Sequence, residues 1–136
     1  MNFKEVLRDA VAGRKLIRAS AYVIKTEAEE GTSFFEALSQ QGFEVKMKDL
    51  QIFAGGAKKA DWDVGITVDA IKLAPKLDVI ILVTGDGDYV PLVNYLQNTT
   101  GCLVEVMAFR QTASSRLIEE SDDFINLSED KKYLLK

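Results

Sequence analysis

The segment Val79-Ile-Ile-Leu-Val-Thr-Gly-Asp-Gly-Asp-Tyr89 carries the densest chemical signal in the chain: an apolar run of strand length ends abruptly in Thr84, Gly85, Asp86, Gly87 and Asp88. Two carboxylates at the end of a buried strand repel each other and are partly desolvated, and a hard divalent cation is the natural compensator. The glycines permit a tight turn without Cβ clashes, and Pro91 suits the first turn of a following helix. N-capping of that helix explains Asp88 as readily as ligation does, since an Asp cap is worth about 1 kcal/mol. It leaves Asp86 unexplained. A second acidic group, Asp61, Asp63 and Asp69, lies in KKADWDVGITVDAI, at the start of a helical segment behind the loop Ala54-Gly55-Gly56-Ala57. Asp61 is placed to cap this helix and Asp63 falls in its first turn. Asp69 lies about 240° further round than Asp63, so an undistorted helix cannot aim both at one site. Asp63 is therefore the candidate ligand, and Asp69 is expected to satisfy a backbone or lysine group or to act from behind the ligands. A helix dipole that favours acids at its N-terminus accounts for the same segment without any ligand.

Other chemistries lack their residues. The chain has no histidine and one cysteine, Cys102, set in the apolar run GCLVEVMAF. Ser-His-Asp and Cys-His nucleophile systems, histidine proton relays and His/Cys zinc sites are thereby excluded. With 136 residues, 47% apolar and 28% charged, the chain is read as one compact domain, large enough to bury a core without a disulfide or metal staple. A lone cysteine makes no internal disulfide and the opening MNFKEVLRDAV is no signal sequence, so a cytoplasmic protein is expected. No apolar stretch approaches the ~20 residues of a membrane span, so no membrane partner is expected. The net charge of −4 counts against stable non-specific nucleic-acid binding but is compatible with a local phosphate-handling site.

The elements that must position the acids follow from periodicity. Phe3, Val6, Leu7, Ala10 and Val11 recur at helical spacing, with Asn2 as N-cap and Gly13 just past the end. Leu16 to Ile24 reads as a strand, a helix capped by Thr32 or Ser33 ends before Gly42, and Phe43 to Phe53 alternates as a half-exposed strand. Then come a helix from about Trp62 to Leu73, the buried strand Val79 to Thr84, a helix from about Tyr89 to Gln97, and the strand Leu103 to Phe109. A helix near Ser114 to Glu120 and a strand Phe124 to Leu127 close the chain. Alternating helices and apolar strands argue for an α/β fold with a mostly parallel sheet, covered on both faces, whose sites lie at the carboxyl ends of strands.

The pairing of KADWDVGITVDAI with VIILVTGDGDYVPLV, closed by Ser121, Asp122 and Phe124, resembles the NYN domain in its LabA-like branch, within the PIN-like metal-dependent ribonucleases. The resemblance runs from Leu16 to Leu127. It implies a PIN-like three-layer α/β/α sandwich and an acidic pocket that holds Mg²⁺ or Mn²⁺ for phosphodiester hydrolysis. Carried over by position, the catalytic and metal-binding acids are Asp63, Asp86 and Asp88. Asp69 and Asp122 also match family positions and, with Thr84, are expected to support the pocket or the fold without ligating. Family members usually open with a strand ending in Asp, followed closely by Asn. This chain starts with the helix that should come next, so the expectation is a single NYN/PIN-like domain over 1–136, incomplete at its N-terminus. Sheet edges left open by a missing strand would favour a homodimer or lower stability.

Clustered carboxylates with no poised His or Lys base imply one or two divalent ions that activate water and stabilise charge on phosphoryl oxygens. Lys58, Lys59, Arg110 and Arg116 are candidate contacts to a nucleic-acid backbone, and Thr112, Ser114 and Ser115 precede a helix whose amides suit phosphate. For any one basic residue, solvated surface is the simpler account. Trp62 either packs beside its helix or stacks on a base of single-stranded RNA. The expected activity is Mg²⁺- or Mn²⁺-dependent RNA cleavage in single-stranded regions. The alternative is a non-catalytic RNA-binding or regulatory module that keeps the acidic pocket as a relic. A haloacid-dehalogenase-like phosphatase shares the Gly-Asp-Gly turn but needs an Asp-x-Asp-x-Thr nucleophile motif; here Asp61-Trp62-Asp63 is followed by Val64 and Gly65. A dinucleotide fold needs Gly-x-Gly-x-x-Gly and would have its pyrophosphate repelled by these acids.

Overall fold

Even- and odd-numbered residues of the apolar strands serve different cores. Ile80, Leu82, Val104, Val106 and Ala108 pack with Ala70, Val90, Val93, Leu96 and Leu117. Met107 instead packs with Val6, Ala10, Leu127 and Tyr133, against which Ile81, Phe109 and Ile125 are partly buried. This period of two identifies a sheet covered on both faces, which is why its strands read as nearly continuous apolar runs.

The computed structural model describes residues 1–25, 31–49, 51–52, 58–59 and 62–134. In chain order these form α1 (Phe3–Val11), β1 (Ser20–Lys25), α2 (Gly31–Gln40), β2 (Glu44–Asp49), β3 (Gln51–Ile52), β4 (Lys58–Lys59), α3 (Asp63–Leu73), β5 (Val79–Val83), α4 (Val90–Tyr95), β6 (Leu103–Ala108), α5 (Ser115–Glu120) and β7 (Asp123–Asn126). Two compact units result: Met1–Ala12 with Val64–Lys136, and Gly13–Asp63. In the first, β5, β6 and β7 make a parallel sheet in that order. Residues of α3, α4 and α5 join the core on one face, and residues of α1 join the core on the other. In the second unit, β1 and β2 pair in parallel from Ser20↔Glu44 to Lys25↔Asp49, and β3 pairs antiparallel with β4.

The fold is thus α/β with parallel sheets of two and three strands. Several boundaries differ from the periodicity reading. The strand expected from Leu16 begins only at Ser20, because its partner starts at Glu44, whose N–H donates to Ala19 O. Leu16 and Ile17 are left exposed. The strand expected over Phe43 to Phe53 is divided into β2 and β3, and the helix expected over Tyr89 to Gln97 is composite. It opens as a 3₁₀ turn over Gly87–Tyr89, runs as α4, and widens to a π turn over Leu96–Thr100 that ends at Gly101 with φ 75°. Asn2 caps α1 as expected, its Oδ1 accepting from Glu5 N at 3.3 Å. The Ala54–Ala57 loop and the proposed cap Asp61 lie outside the described residues.

The glycines after β5 are required by a close approach. A Cβ on Gly85 would stand 2.9 Å from Ala113 Cα, and one on Gly87 would stand 2.8 Å from Ser114 Oγ. Ser114 N donates to Gly85 O at 2.9 Å, which fixes the two segments against each other. Because the obstacle at Gly85 is backbone, Gly85→Ala should overpack the contact and lower stability by about 1–3 kcal/mol in urea denaturation.

A polar clip joins α1 to the C-terminal 3₁₀ turn Lys131–Tyr133. Asn2 N donates to Tyr133 O at 2.6 Å, the Tyr133 hydroxyl donates to Asp9 Oδ2, and Lys132 Nζ lies 2.7 Å from the same oxygen. The hydrogen bonds from Lys132 and then Tyr133 hold the Asp9 carboxyl below its usual value, and the bond to Asp9 raises Lys132. Burial, then the hydrogen bond to Asp9 and its charge, push the Tyr133 phenol up to about 12. The folded state therefore favours neutral Tyr133. That contribution is complete below a pH near 10, the unfolded value, and is lost as pH rises towards 12. The Asp9 contribution is present above the ordinary carboxylate range and lost as pH falls below it. Urea denaturation should show a fall in stability of about 2 kcal/mol attributable to Tyr133 between pH 10 and pH 12. Tyr133→Phe should cost about 1 kcal/mol at neutral pH and flatten that alkaline fall.

Candidate functional site

Three residues after the last residue of β5, Asp86 enters a turn held by short polar bonds. Thr84 Oγ1 accepts from Asp86 N at 3.2 Å, and Asp86 Oδ1 accepts from Asp88 N at 2.8 Å. Asp86 thereby caps the 3₁₀ turn Gly87–Tyr89. The cap role that the sequence offered to Asp88 belongs to Asp86, because the turn starts at Gly87, two residues earlier than the pattern implied. Thr84 supports the loop, as anticipated for a residue behind the acids.

Asp63 is the first residue of α3, whose remaining residues belong to the same unit as the β5–β6–β7 sheet. One carboxylate oxygen from each of Asp63, Asp86 and Asp88 lies within 4.8 Å of the others. Asp63 is half-buried, whereas Asp86 and Asp88 are exposed. The desolvation expected for the latter pair is therefore absent, and mutual repulsion is what remains. At this separation it amounts to about 1 kcal/mol per pair in water and about 3–4 kcal/mol at the screening typical of a protein surface.

The donor set fits a hard divalent ion. Oxygen ligands on an octahedral Mg²⁺ at 2.0–2.1 Å stand about 3–4 Å apart, so the carboxylates need move only slightly to share one ion. Asp69 is half-buried on α3 and is not part of this cluster, as its angular offset from Asp63 requires. Asp122 has a structural position: its Oδ2 accepts from Val104 N at 2.7 Å and from Gln97 Nε2 at 3.1 Å, tying the start of β7 to β6 and to the turn after α4.

Next to the acids, Gly87, Val90, Pro91, Asn94, Ser114 and Arg116 line an open groove of about 490 Å³. Ser114 and Arg116 were singled out by sequence. Ser114 Oγ also accepts from Leu117 N at 3.3 Å as the cap of α5, and Ser115 opens that helix. Arg116 Nε lies 3.7 Å from Glu120 Oε1, and the arginine side chain is 71% exposed, leaving it free to swing. Val90, Pro91 and Asn94 also line the groove and were not singled out by sequence. Their signal was the spacing 87, 90, 91, 94, which puts one helical face towards a single neighbour. The Arg110 guanidinium lies 5.7 Å from the centre of the Phe124 ring, and its backbone N–H donates to Asn126 Oδ1. Thr112 Oγ1 donates to Phe109 O at 3.4 Å. Lys58 and Lys59 form β4, and their side chains lie outside the described residues.

No curated protein matches the chain. A crystal structure of a protein of unknown function from Vibrio parahaemolyticus is similar, with 35% sequence identity and a TM-score of 0.86, over 93% of this chain and 78% of that one. The NYN domain family matches residues 1–128, a span that runs from α1 through β7 and includes all three clustered aspartates. By that match over nearly its whole length, the chain belongs to the NYN domain family.

Proposed function

We propose that this chain is a metal-dependent ribonuclease of the LabA-like branch, cleaving RNA within single-stranded regions in the cytoplasm. The observation that carries the reading is the convergence of Asp63, Asp86 and Asp88, from two separate stretches of chain, on a volume that one ion can fill. Family membership supports it, since the NYN domain points to a PIN-like nuclease fold.

In this reading Asp63, Asp86 and Asp88 hold Mg²⁺ or Mn²⁺. Such an ion, when bound, would supply water activation and offset charge on the phosphoryl oxygens. The chain contributes position. Thr84 Oγ1 holds the Asp86 backbone N–H, and the Asp88 amide holds the Asp86 carboxylate through Oδ1, so the side chain is positioned at little entropic cost. The groove lined by Asn94, Ser114 and Arg116 receives the strand leading to the scissile phosphate, with Arg116 leaving Glu120 to meet a backbone phosphate. Lys59 and Arg110 extend the backbone contacts, and Ser115 flanks the groove. With no histidine in the chain, no imidazole is available for the proton chemistry.

The test is cleavage of an end-labelled single-stranded RNA with Mn²⁺ or Mg²⁺, with and without chelator. Asp86→Asn keeps the cap, because Asn caps a turn as well as Asp does, so circular dichroism should be unchanged. Cleavage should fall on the order of 100-fold or more, since even partners behind metal ligands cost 10- to 100-fold when removed. Cleavage that ignores chelator or survives Asp86→Asn overturns the reading. RNA binding without cleavage, indifferent to Asp86, points to a non-catalytic module. Phosphate release from small monoesters with RNA left intact points to a phosphatase.

A further inference from the structure

In the unit Gly13–Asp63, one face of the β1–β2 sheet gathers aromatic rings and ammonium groups. The register places Tyr22 opposite Lys46 and Ile24 opposite Lys48, and side chains two residues apart share a face. Lys46 Nζ lies 5.6 Å from the centre of the Tyr22 ring, and Lys48 Nζ lies 4.8 Å from that of Trp62. Tyr22 and Trp62 meet edge to face, with centroids 5.3 Å apart and planes at 61°. The Trp62 indole N–H donates to Val23 O at 2.9 Å, so the ring is held in one orientation while remaining only half-buried.

We infer that Trp62, Tyr22, Lys46 and Lys48 form a stacking platform for single-stranded RNA, in which a base lies on the Trp62 ring and the two lysines meet the flanking phosphates. This deepens the ribonuclease reading and rests on it for the identity of the ligand. Three features carry it. An aromatic ring fixed by its own hydrogen bond binds a base without first losing rotamer freedom. Ring plus ammonium is the combination by which sequence-tolerant single-strand sites hold base and backbone together. The chain is acidic overall at −4, so a face bearing Lys46 and Lys48 is a local attractor for phosphate.

Trp62 is the only tryptophan of the chain, so its fluorescence reports the platform directly. The 136-residue chain is titrated in chelator with a 12-nucleotide oligouridylate and with a duplex RNA of equal length. The single strand should quench Trp62 saturably, and the duplex, whose bases are stacked inside, should not. The double variant Lys46→Ala/Lys48→Ala should bind roughly ten-fold more weakly, with a salt dependence shallower by about 1.4 in log–log slope, the value for two lost phosphate contacts. By anisotropy of labelled RNA, Trp62→Phe should retain most of the affinity and Trp62→Leu should lose roughly ten-fold. If Trp62→Leu does not fold, the lysine pair decides. Absent quenching, equal quenching by duplex, or an unchanged salt slope in the lysine variant overturns the platform. Mn²⁺-dependent cleavage without quenching overturns the platform alone, whereas quenching without cleavage supports the platform and overturns the nuclease reading.

Discussion

The turn after β5 must hold two exposed carboxylates close to a third, against their repulsion, and the rest of the first unit is arranged so that it can. Three pairs of charges within 4.8 Å cost about 3 kcal/mol in water in total. The Asp86 cap offsets about 1 kcal/mol of this. The larger counterweight is the sheet beneath. Val104, Val106 and Leu82 are each at least nine-tenths buried, and each such side chain contributes about 1.5–3 kcal/mol. Repulsion among the acids is therefore small beside the burial of the apolar residues of β5 and β6. The same arithmetic explains the glycines: the turn reaches the segment before α5 only if Gly85 and Gly87 carry no Cβ.

Much of this was legible in the sequence, and the legible parts share a cause. Asn2 as a cap, the buried runs of β5 and β6, and the exclusion of Asp69 from the cluster all depend on local geometry or on period alone. What was not legible depends on partners distant in sequence. The capping residue after β5 is Asp86 and not Asp88 because a 3₁₀ turn intervenes before α4, and helical spacing does not distinguish the two beginnings. Val90, Pro91 and Asn94 become groove residues only when Ser114 and Arg116 are brought opposite them. Leu16 and Ile17 have the composition of a strand but no partner until Glu44. A β-rich pattern states readiness to pair, and pairing itself is a tertiary fact.

The observed packing of Trp62 is compatible with its proposed stacking role. Its indole packs, with a hydrogen bond to Val23 O and an edge-to-face contact with Tyr22, as a tryptophan beside a helix start commonly does. Packing of this kind leaves part of the ring accessible, and a ring that is already immobile is the better stacking surface. The structural role and the proposed ligand role are consequently additive demands on one side chain.

The exposure of Asp86 and Asp88 also bears on the kind of metal centre this turn can form. A buried carboxylate cage binds an ion tightly but pays in desolvation and exchanges slowly, whereas solvent-facing acids leave coordination positions to water. Mg²⁺ retains several waters in most protein sites because it dehydrates reluctantly. In the proposed reading, a half-buried Asp63 beside two exposed acids would suit that habit, supplying one ligand and leaving room for water and phosphate. Metal-assisted hydrolysis, if this is its site, would need such room for both water and the phosphoryl group. The groove that starts at Gly87, between the two exposed acids, lies where such a phosphate would enter.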